Sequence, residues 1–148
     1  MPASREGVQQ FRFVLAILVG MILAYALVQA IEFALVLSLH GSIPEDRATY
    51  FALRNDTEVL IARLFYSAAV GLVAGYVAAW IGGRMGLPAG LGLAVVQAGG
   101  FSWAMISPNP LFAFTPTWVW VLLILTMPSA IVIGAWLRAR HRMDRSRV

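Results

Sequence analysis

Apolar residues fill four long stretches of the chain, and shorter polar segments separate them. The stretches cover about residues 13–39, 57–82, 88–106 and 115–137. An α-helix of about 20 apolar residues crosses the hydrocarbon core of a bilayer, so each stretch is long enough to span it. The pattern predicts an all-α integral membrane protein, with four transmembrane helices in a compact bundle that forms a single domain over residues 1–148.

The first apolar stretch follows a basic segment, as the core of a secretory signal peptide would. A signal peptide has an apolar core of about 7–15 residues, whereas this stretch runs from Phe13 to Leu39. We therefore interpret it as the first transmembrane helix.

The longest polar segment, residues 40–57, carries start signals for two helices. Ser42 followed by Glu45 has the spacing of a capping box, which predicts a short interfacial helix in this first outer loop. Asn55 and Asp56 offer a second cap, for the helix over residues 57–82.

The other connections are predicted to be turns. Residues 83–88 form a tight turn, and residues 107–116 contain three prolines and no charge, which indicates a turn rather than a helix. Thr115 and Pro116 resemble an N-cap and a first helical residue. Pro128 predicts a kink in the fourth helix.

Composition agrees with a membrane protein and excludes several chemistries. The chain is 60% hydrophobic and 12% charged, with a mean hydropathy of +0.79, whereas soluble domains carry about 25% charged residues. It has no cysteine, which excludes disulfides and thiolate chemistry. Catalytic and nucleotide-binding motifs such as GxSxG, HExxH and a P-loop are absent. We therefore expect no cofactor, no metal, no nucleic-acid partner and no enzymatic activity.

The arginines predict the orientation of the chain, because short basic loops stay in the cytoplasm. One side collects most of them: Arg5, Arg12, Arg84, Arg138, Arg140, Arg142, Arg145 and Arg147. On the other side, Arg47 and Arg54 are balanced by acidic residues. We expect a bacterial inner-membrane protein with both termini in the cytoplasm, including the basic tail over residues 138–148.

Small residues on the second and third helices predict close packing. At three- and four-residue spacing they let helix backbones approach each other in lipid. The stripes are Ser67, Gly71, Ala74, Gly75, Ala78 and Gly82 on the second helix, and Gly90, Ala94, Gly100 and Ala104 on the third. Such faces leave little interior for a transport pathway within one copy.

One ionisable residue lies inside each of the first two apolar stretches. Glu32 and Arg63 fall at similar depth, about 10 Å below the outer helix ends at 1.5 Å per residue. A charge is costly in hydrocarbon, so we expect the two residues to pair. Tyr25 and Gln29 share a face with Glu32, and Gln97 on the third helix lies close enough to extend a polar network.

Three interpretations of this network remain open. Glu32 could be a proton or cation site in an outward-opening cavity, because carboxylates inside membranes often mark ion pathways. Alternatively, the pair is structural and sets the register of the helices. A third possibility is that Arg63 extends outward to the lipid headgroups.

The basic tail offers a second candidate site. Its arginines are candidate contacts for anionic lipid, although such clusters are more often only topological anchors. They are Arg138, Arg140, Arg142, Arg145 and Arg147.

The chain has many small and apolar residues that can pack against other helices, and few residues that could carry out a reaction. This favours a non-catalytic accessory or scaffold subunit of a larger membrane complex, with the lipid bilayer and other membrane subunits as partners. The alternative is a small transporter or channel that works as a homo-oligomer, with its polar cavity around Glu32 and Arg63.

Overall fold

A computed structural model of the chain describes the backbone of residues 5–145 and the side chains of residues 6–141. Over these residues the chain is helical and contains no strand. The helices are α1 (Arg5–His40), α2 (Arg47–Arg54), α3 (Thr57–Gly82), α4 (Gly86–Ile106), α5 (Pro110–Ala113) and α6 (Thr117–Arg145), with a 3-10 turn at Gly83–Met85. The all-α prediction is confirmed.

Three stretches of the described chain are long and apolar enough to cross a membrane: Glu6–His40, Thr57–Ile106 and Thr117–His141. The middle stretch has 50 residues and contains both α3 and α4, which the 3-10 turn separates. Gly83 has a φ of 59° in this turn, a left-handed conformation that glycine adopts without a Cβ clash. The chain reverses there, so that α4 packs against α3.

Both outermost helices extend beyond the apolar stretches that predicted them. α1 begins at Arg5 rather than Phe13, and α6 continues to Arg145 rather than ending at Leu137. The apolar pattern indicates only the apolar part of a helix. The helix itself continues into polar turns wherever these contain residues of good helix propensity.

The short helix predicted after the first apolar stretch is present as α2, but its predicted cap is wrong. Asp46, not Ser42, is the N-cap, and its carboxylate accepts hydrogen bonds from the Thr49 backbone N–H and hydroxyl, both at 2.8 Å. The carboxylate satisfies an N–H that lacks a partner within the helix. Asp56 caps α3 as predicted, through a 2.7 Å bond from the Thr57 N–H.

The proline-rich connection contains one helical turn, so the prediction of a turn without helix is wrong over four residues. Asn109 caps α5 by accepting the Leu111 N–H at 3.0 Å, and Pro110 occupies the first turn. Thr115, the predicted cap of the next helix, instead donates its hydroxyl to the Asn55 side-chain oxygen at 2.6 Å. This bond joins the two long connections at one end of the bundle, which we call the loop end.

α3 lies at the centre of the bundle and contacts α1, α4 and α6, with its largest interface on α6. The small residues predicted to allow close approach form this interface. A Cβ on Gly71 would lie 2.8 Å from the Met127 carbonyl oxygen, and one on Gly75 would overlap the Ile131 carbonyl. From the other side, a Cβ on Gly134 would overlap the Leu72 carbonyl. The backbones of α3 and α6 therefore touch directly.

Candidate functional site

Glu32 lies near the loop end, inside the protein, with a relative exposure of 1%. Its carboxylate forms an ion pair with Arg54, the last residue of α2, through Oε1 and the Arg54 Nε. Its other oxygen, Oε2, accepts a hydrogen bond from the Tyr66 hydroxyl at 3.3 Å. The carboxylate thus connects α1 to α2 and α3.

The predicted partner of Glu32 is therefore wrong: Arg54 forms the ion pair instead of Arg63. The reason is the direction in which Arg63 points. It belongs to the small-residue stripe of α3, and that stripe packs on α6, as Gly71 and Gly75 show. Tyr66, three residues further along, faces α1 and reaches the carboxylate.

The sequence contains little that would predict this role for Arg54, which lies in a polar segment among acidic residues. Its guanidinium lies 4.9 Å from the centre of the Phe51 ring, and its side chain is only 14% exposed. The hydroxyl of Tyr50, on the same helix, is also affected by the Glu32 charge. Burial raises the pKa of the Tyr50 hydroxyl, and the Glu32 carboxylate raises it further.

Arg63 is buried, with a relative exposure of 5%. Its guanidinium carbon lies 5.8 Å from the centre of the Trp120 ring on α6, a cation–π contact. Within the described part of the chain, its Nη1 has no hydrogen-bond partner. Among the described residues, Arg63 therefore holds its positive charge inside the bundle without an ion-pair partner of its own.

A cavity of about 390 Å³ opens beside Arg63. Helices α1, α3, α4 and α6 form its walls, and residues of α2 and α5 complete it toward the loop end. Most of its lining is apolar: Met21, Ala24, Val28, Val96, Gly100, Phe101, Ala104, Phe112, Trp120 and Met127. The expectation that small faces leave little interior is wrong in this part of the bundle: a Cβ on Gly100, which lines the cavity, would meet nothing within 4 Å.

Four of the five residues in the predicted network line this cavity: Tyr25, Gln29, Arg63 and Gln97. Glu32 is not among the lining residues and connects to the cavity through Arg54, which is. Tyr25 is 70% exposed and lies at the rim. Because Arg54 is paired with Glu32, Arg63 leaves the polar part of the cavity with an excess of one positive charge.

The predicted lipid-binding arginines are described only in part. The guanidinium of Arg138 lies 5.9 Å from the Tyr76 ring, and that of Arg140 lies 5.4 Å from the Trp136 ring. Arg142 and Arg145 belong to the backbone of α6, but their side chains lie outside the described residues. Arg147 lies outside them entirely.

Comparisons with protein-family models, with curated proteins and with solved structures give no match. Among the described residues, no group of three or more histidines or carboxylates comes together to hold a metal ion. The site is therefore defined by its own geometry: a mainly apolar cavity with amide groups and a buried guanidinium that has no ion-pair partner within the described chain.

Proposed function

We propose that the chain is a four-crossing protein of a bacterial inner membrane, with α1, α3, α4 and α6 as the transmembrane helices and both termini in the cytoplasm. The positive-inside rule supports this orientation. Arg12 contacts Ile81 and Gly83, so the start of α1 and the α3–α4 turn lie at one end of the bundle. We call it the basic end.

Fusions to reporter proteins test this orientation. Green fluorescent protein attached after residue 148 should fluoresce, because it folds in the cytoplasm. Alkaline phosphatase inserted after Gly41, in the first outer loop, should be active, because it folds outside. The opposite pattern would refute the orientation.

We propose that the protein is a small, non-catalytic binding protein of the transporter class, and that its cavity takes an organic anion. The observation that carries this proposal is the buried guanidinium of Arg63, whose Nη1 has no partner in the described chain and which lines the cavity. Removing the partner of a buried charge costs about 3–5 kcal/mol. An anionic ligand that accepts from Arg63 would offset that cost.

The lining defines the class of ligand further. Charged groups inside membrane bundles face a bundle interior or a water-filled cavity and commonly mark a solute pathway. A guanidinium binds a carboxylate through two parallel hydrogen bonds. Phe101, Phe112 and Trp120 supply aromatic walls next to it. A carboxylate on an aromatic or short aliphatic body matches both parts of the cavity.

Calorimetry in lipid nanodiscs tests this proposal, with benzoate as the anionic probe and benzyl alcohol as its uncharged counterpart. We expect benzoate to bind more tightly. Hydrogen bonds to a charged group contribute about 1.5–3 kcal/mol, so Arg63→Gln should weaken benzoate binding by about 10-fold to 100-fold and leave benzyl alcohol unchanged. Arg63→Lys should retain the preference for the anion.

Arg47→Gln is the matched control, because Arg47 is exposed on α2 and is absent from the cavity lining. It removes the same charge and should leave benzoate binding unchanged. Equal binding of the two probes to the wild-type protein, or no effect of Arg63→Gln, would refute the proposal. Uptake of labelled benzoate into proteoliposomes then separates transport from binding alone.

The accessory-subunit hypothesis remains a second candidate, and the outer face of α4 favours it. Val95, Trp103 and Ile106 are 72%, 68% and 71% exposed. Between them lies Gly99, where an added Cβ would meet nothing within 4 Å. A small residue on an open face allows another helix to approach closely. Mass spectrometry of what co-purifies in mild detergent tests this: a companion of fixed stoichiometry that Gly99→Leu releases would support it.

A further inference from the structure

A second cavity, of about 650 Å³, lies at the basic end of the bundle. It is separate from the cavity around Arg63 and shares no lining residue with it. Its polar lining comes from four residues: Gln9, Arg12, Arg84 and Arg138. Its remaining wall is formed by glycines, alanines, Trp80 and Leu87.

Three arginines from different parts of the chain meet in this cavity. Arg12 comes from α1, Arg84 from the 3-10 turn, and Arg138 from α6. Arg12 and Arg138 are 126 residues apart, so the sequence does not show the three arginines as a cluster. None of the lining residues within the described part of the chain is acidic. The nearest described acid on α1, Glu6, lines an adjacent cavity that shares Gln9.

Local contacts hold two of these arginines, Arg12 and Arg138, in position. The Arg12 Nε donates a hydrogen bond to the Ile81 carbonyl at 3.1 Å, and a Cβ on Gly83 would lie 3.1 Å from the Arg12 Nη2. Arg138 lies over the Tyr76 ring. Arg84 is exposed at the turn that the left-handed Gly83 creates.

The positive charges of the three arginines repel each other, and an anion bound between them would attract all three. Phosphate oxygens are strong acceptors for arginine. Basic pockets between helices on the cytoplasmic side of membrane proteins bind phosphate-bearing lipid headgroups. Trp80, 61% exposed, and Leu87 provide an apolar rim beside the charges. Tryptophan at such a level is typical of the membrane interface.

We propose that this basic cavity binds the phosphate headgroup of an anionic phospholipid, with Arg12, Arg84 and Arg138 as its charged contacts. The apolar rim favours a lipid over a soluble phosphate compound, because acyl chains can continue along Trp80 and Leu87. The site is independent of the cavity around Arg63, and either can exist without the other.

Native mass spectrometry of the purified protein tests the proposal, with phosphatidylglycerol and phosphatidylcholine added in equal amounts. We expect the wild type to retain phosphatidylglycerol preferentially. A hydrogen bond to a charged group contributes about 1.5–3 kcal/mol, so each substitution should reduce retention by about 10-fold to 100-fold. Arg84→Gln is the first variant, because it leaves the Arg12–Ile81 hydrogen bond in place. Arg138→Gln is the second.

Arg140→Gln is the matched control. It removes the same charge from the same helix, two residues from Arg138, but Arg140 lies over Trp136 and not in the cavity. We expect it to retain phosphatidylglycerol like the wild type. If Arg140→Gln loses as much lipid as Arg84→Gln and Arg138→Gln, binding is only diffuse attraction to basic residues, and the proposed site is wrong.

A competition arm separates the two sources of phosphate. Glycerol 1-phosphate carries the headgroup chemistry without acyl chains. If it displaces the lipid at concentrations comparable with those of the lipid itself, the site serves a soluble phosphate compound and the lipid proposal fails. Weak or absent displacement, combined with the arginine dependence, supports the lipid.

Discussion

The ion pair between Glu32 and Arg54 can be tested directly against the pairing that the sequence suggested. The perturbations are Glu32→Gln, Arg54→Met and Arg63→Met, singly and in the two double combinations that include Glu32→Gln. Glutamine and methionine keep most of the side-chain bulk while removing the charge. The two cycles then measure which arginine is energetically coupled to the carboxylate.

The expected magnitudes follow from burial. Glu32 is 1% exposed, and removing one partner of a buried pair costs about 3–5 kcal/mol. Arg54→Met leaves that buried carboxylate with only its Tyr66 hydrogen bond and should cost an amount in this range, whereas Glu32→Gln leaves an arginine that keeps 14% exposure and should cost less, about 2–3 kcal/mol. In the double variant neither charge is left buried alone. The coupling energy between Glu32 and Arg54 should therefore be about 2 kcal/mol.

The cycle between Glu32 and Arg63 should give a much smaller coupling, about 0.5 kcal/mol, because they do not form the ion pair. Unfolding in mixed micelles with increasing dodecyl sulfate, followed by circular dichroism, measures both cycles. A Glu32–Arg63 coupling as large as the Glu32–Arg54 coupling would refute the assignment of the ion pair to α2.

Three further measurements test the packing and the caps. Gly75→Ala should cost about 1–3 kcal/mol of unfolding free energy, because its Cβ would overlap the Ile131 carbonyl, whereas Gly99→Ala, with nothing within 4 Å, should cost none in the same titration. Thr115→Val should cost about 1 kcal/mol of unfolding free energy by removing the hydrogen bond to Asn55. Amide hydrogen exchange should then be faster at both connections of the loop end. Unchanged exchange would show that this bond does not join them. Hydrogen bonds from Thr49 lower the pKa of Asp46 below its ordinary value of 3.8, so the α2 cap should persist above that pH and be lost as the pH falls through the lowered pKa. Amide exchange at Thr49 should accelerate over that range, and in Asp46→Asn it should show no such step.

Much of the helical framework was predictable, because apolar length and capping chemistry are local properties. The bounds of α3, Thr57–Gly82, agree with the prediction at both ends, where Asp56 and the Gly82–Gly83 pair mark the limits. The extension of α1 to Arg5 was not predictable from apolar length, because a helix continues past the apolar region wherever its backbone bonds are satisfied.

The candidate site was only partly predictable, because the partner of a buried charge depends on which way each helix face turns in the folded bundle. Depth along a helix follows from counting residues, and it correctly selected Glu32 and Arg63 as buried. The rotation of α3 between α1 and α6 does not follow from counting, and it directs Tyr66 rather than Arg63 toward Glu32. Likewise, the meeting of Arg12, Arg84 and Arg138 requires the whole bundle.

The backbone contact between α3 and α6 has a consequence for assembly during synthesis. In the proposed membrane arrangement, the closest interface of the bundle joins α3 to α6, which comes last among the described helices, so the glycine face of α3 stays uncovered until α6 has been translated. An uncovered glycine face destabilises the chain only mildly in that interval, because the only thing it lacks is packing contacts with another helix. In that arrangement, a chain synthesised only as far as Pro116 should remain loosely packed, and the addition of α6 should bury the glycine face of α3 in one step.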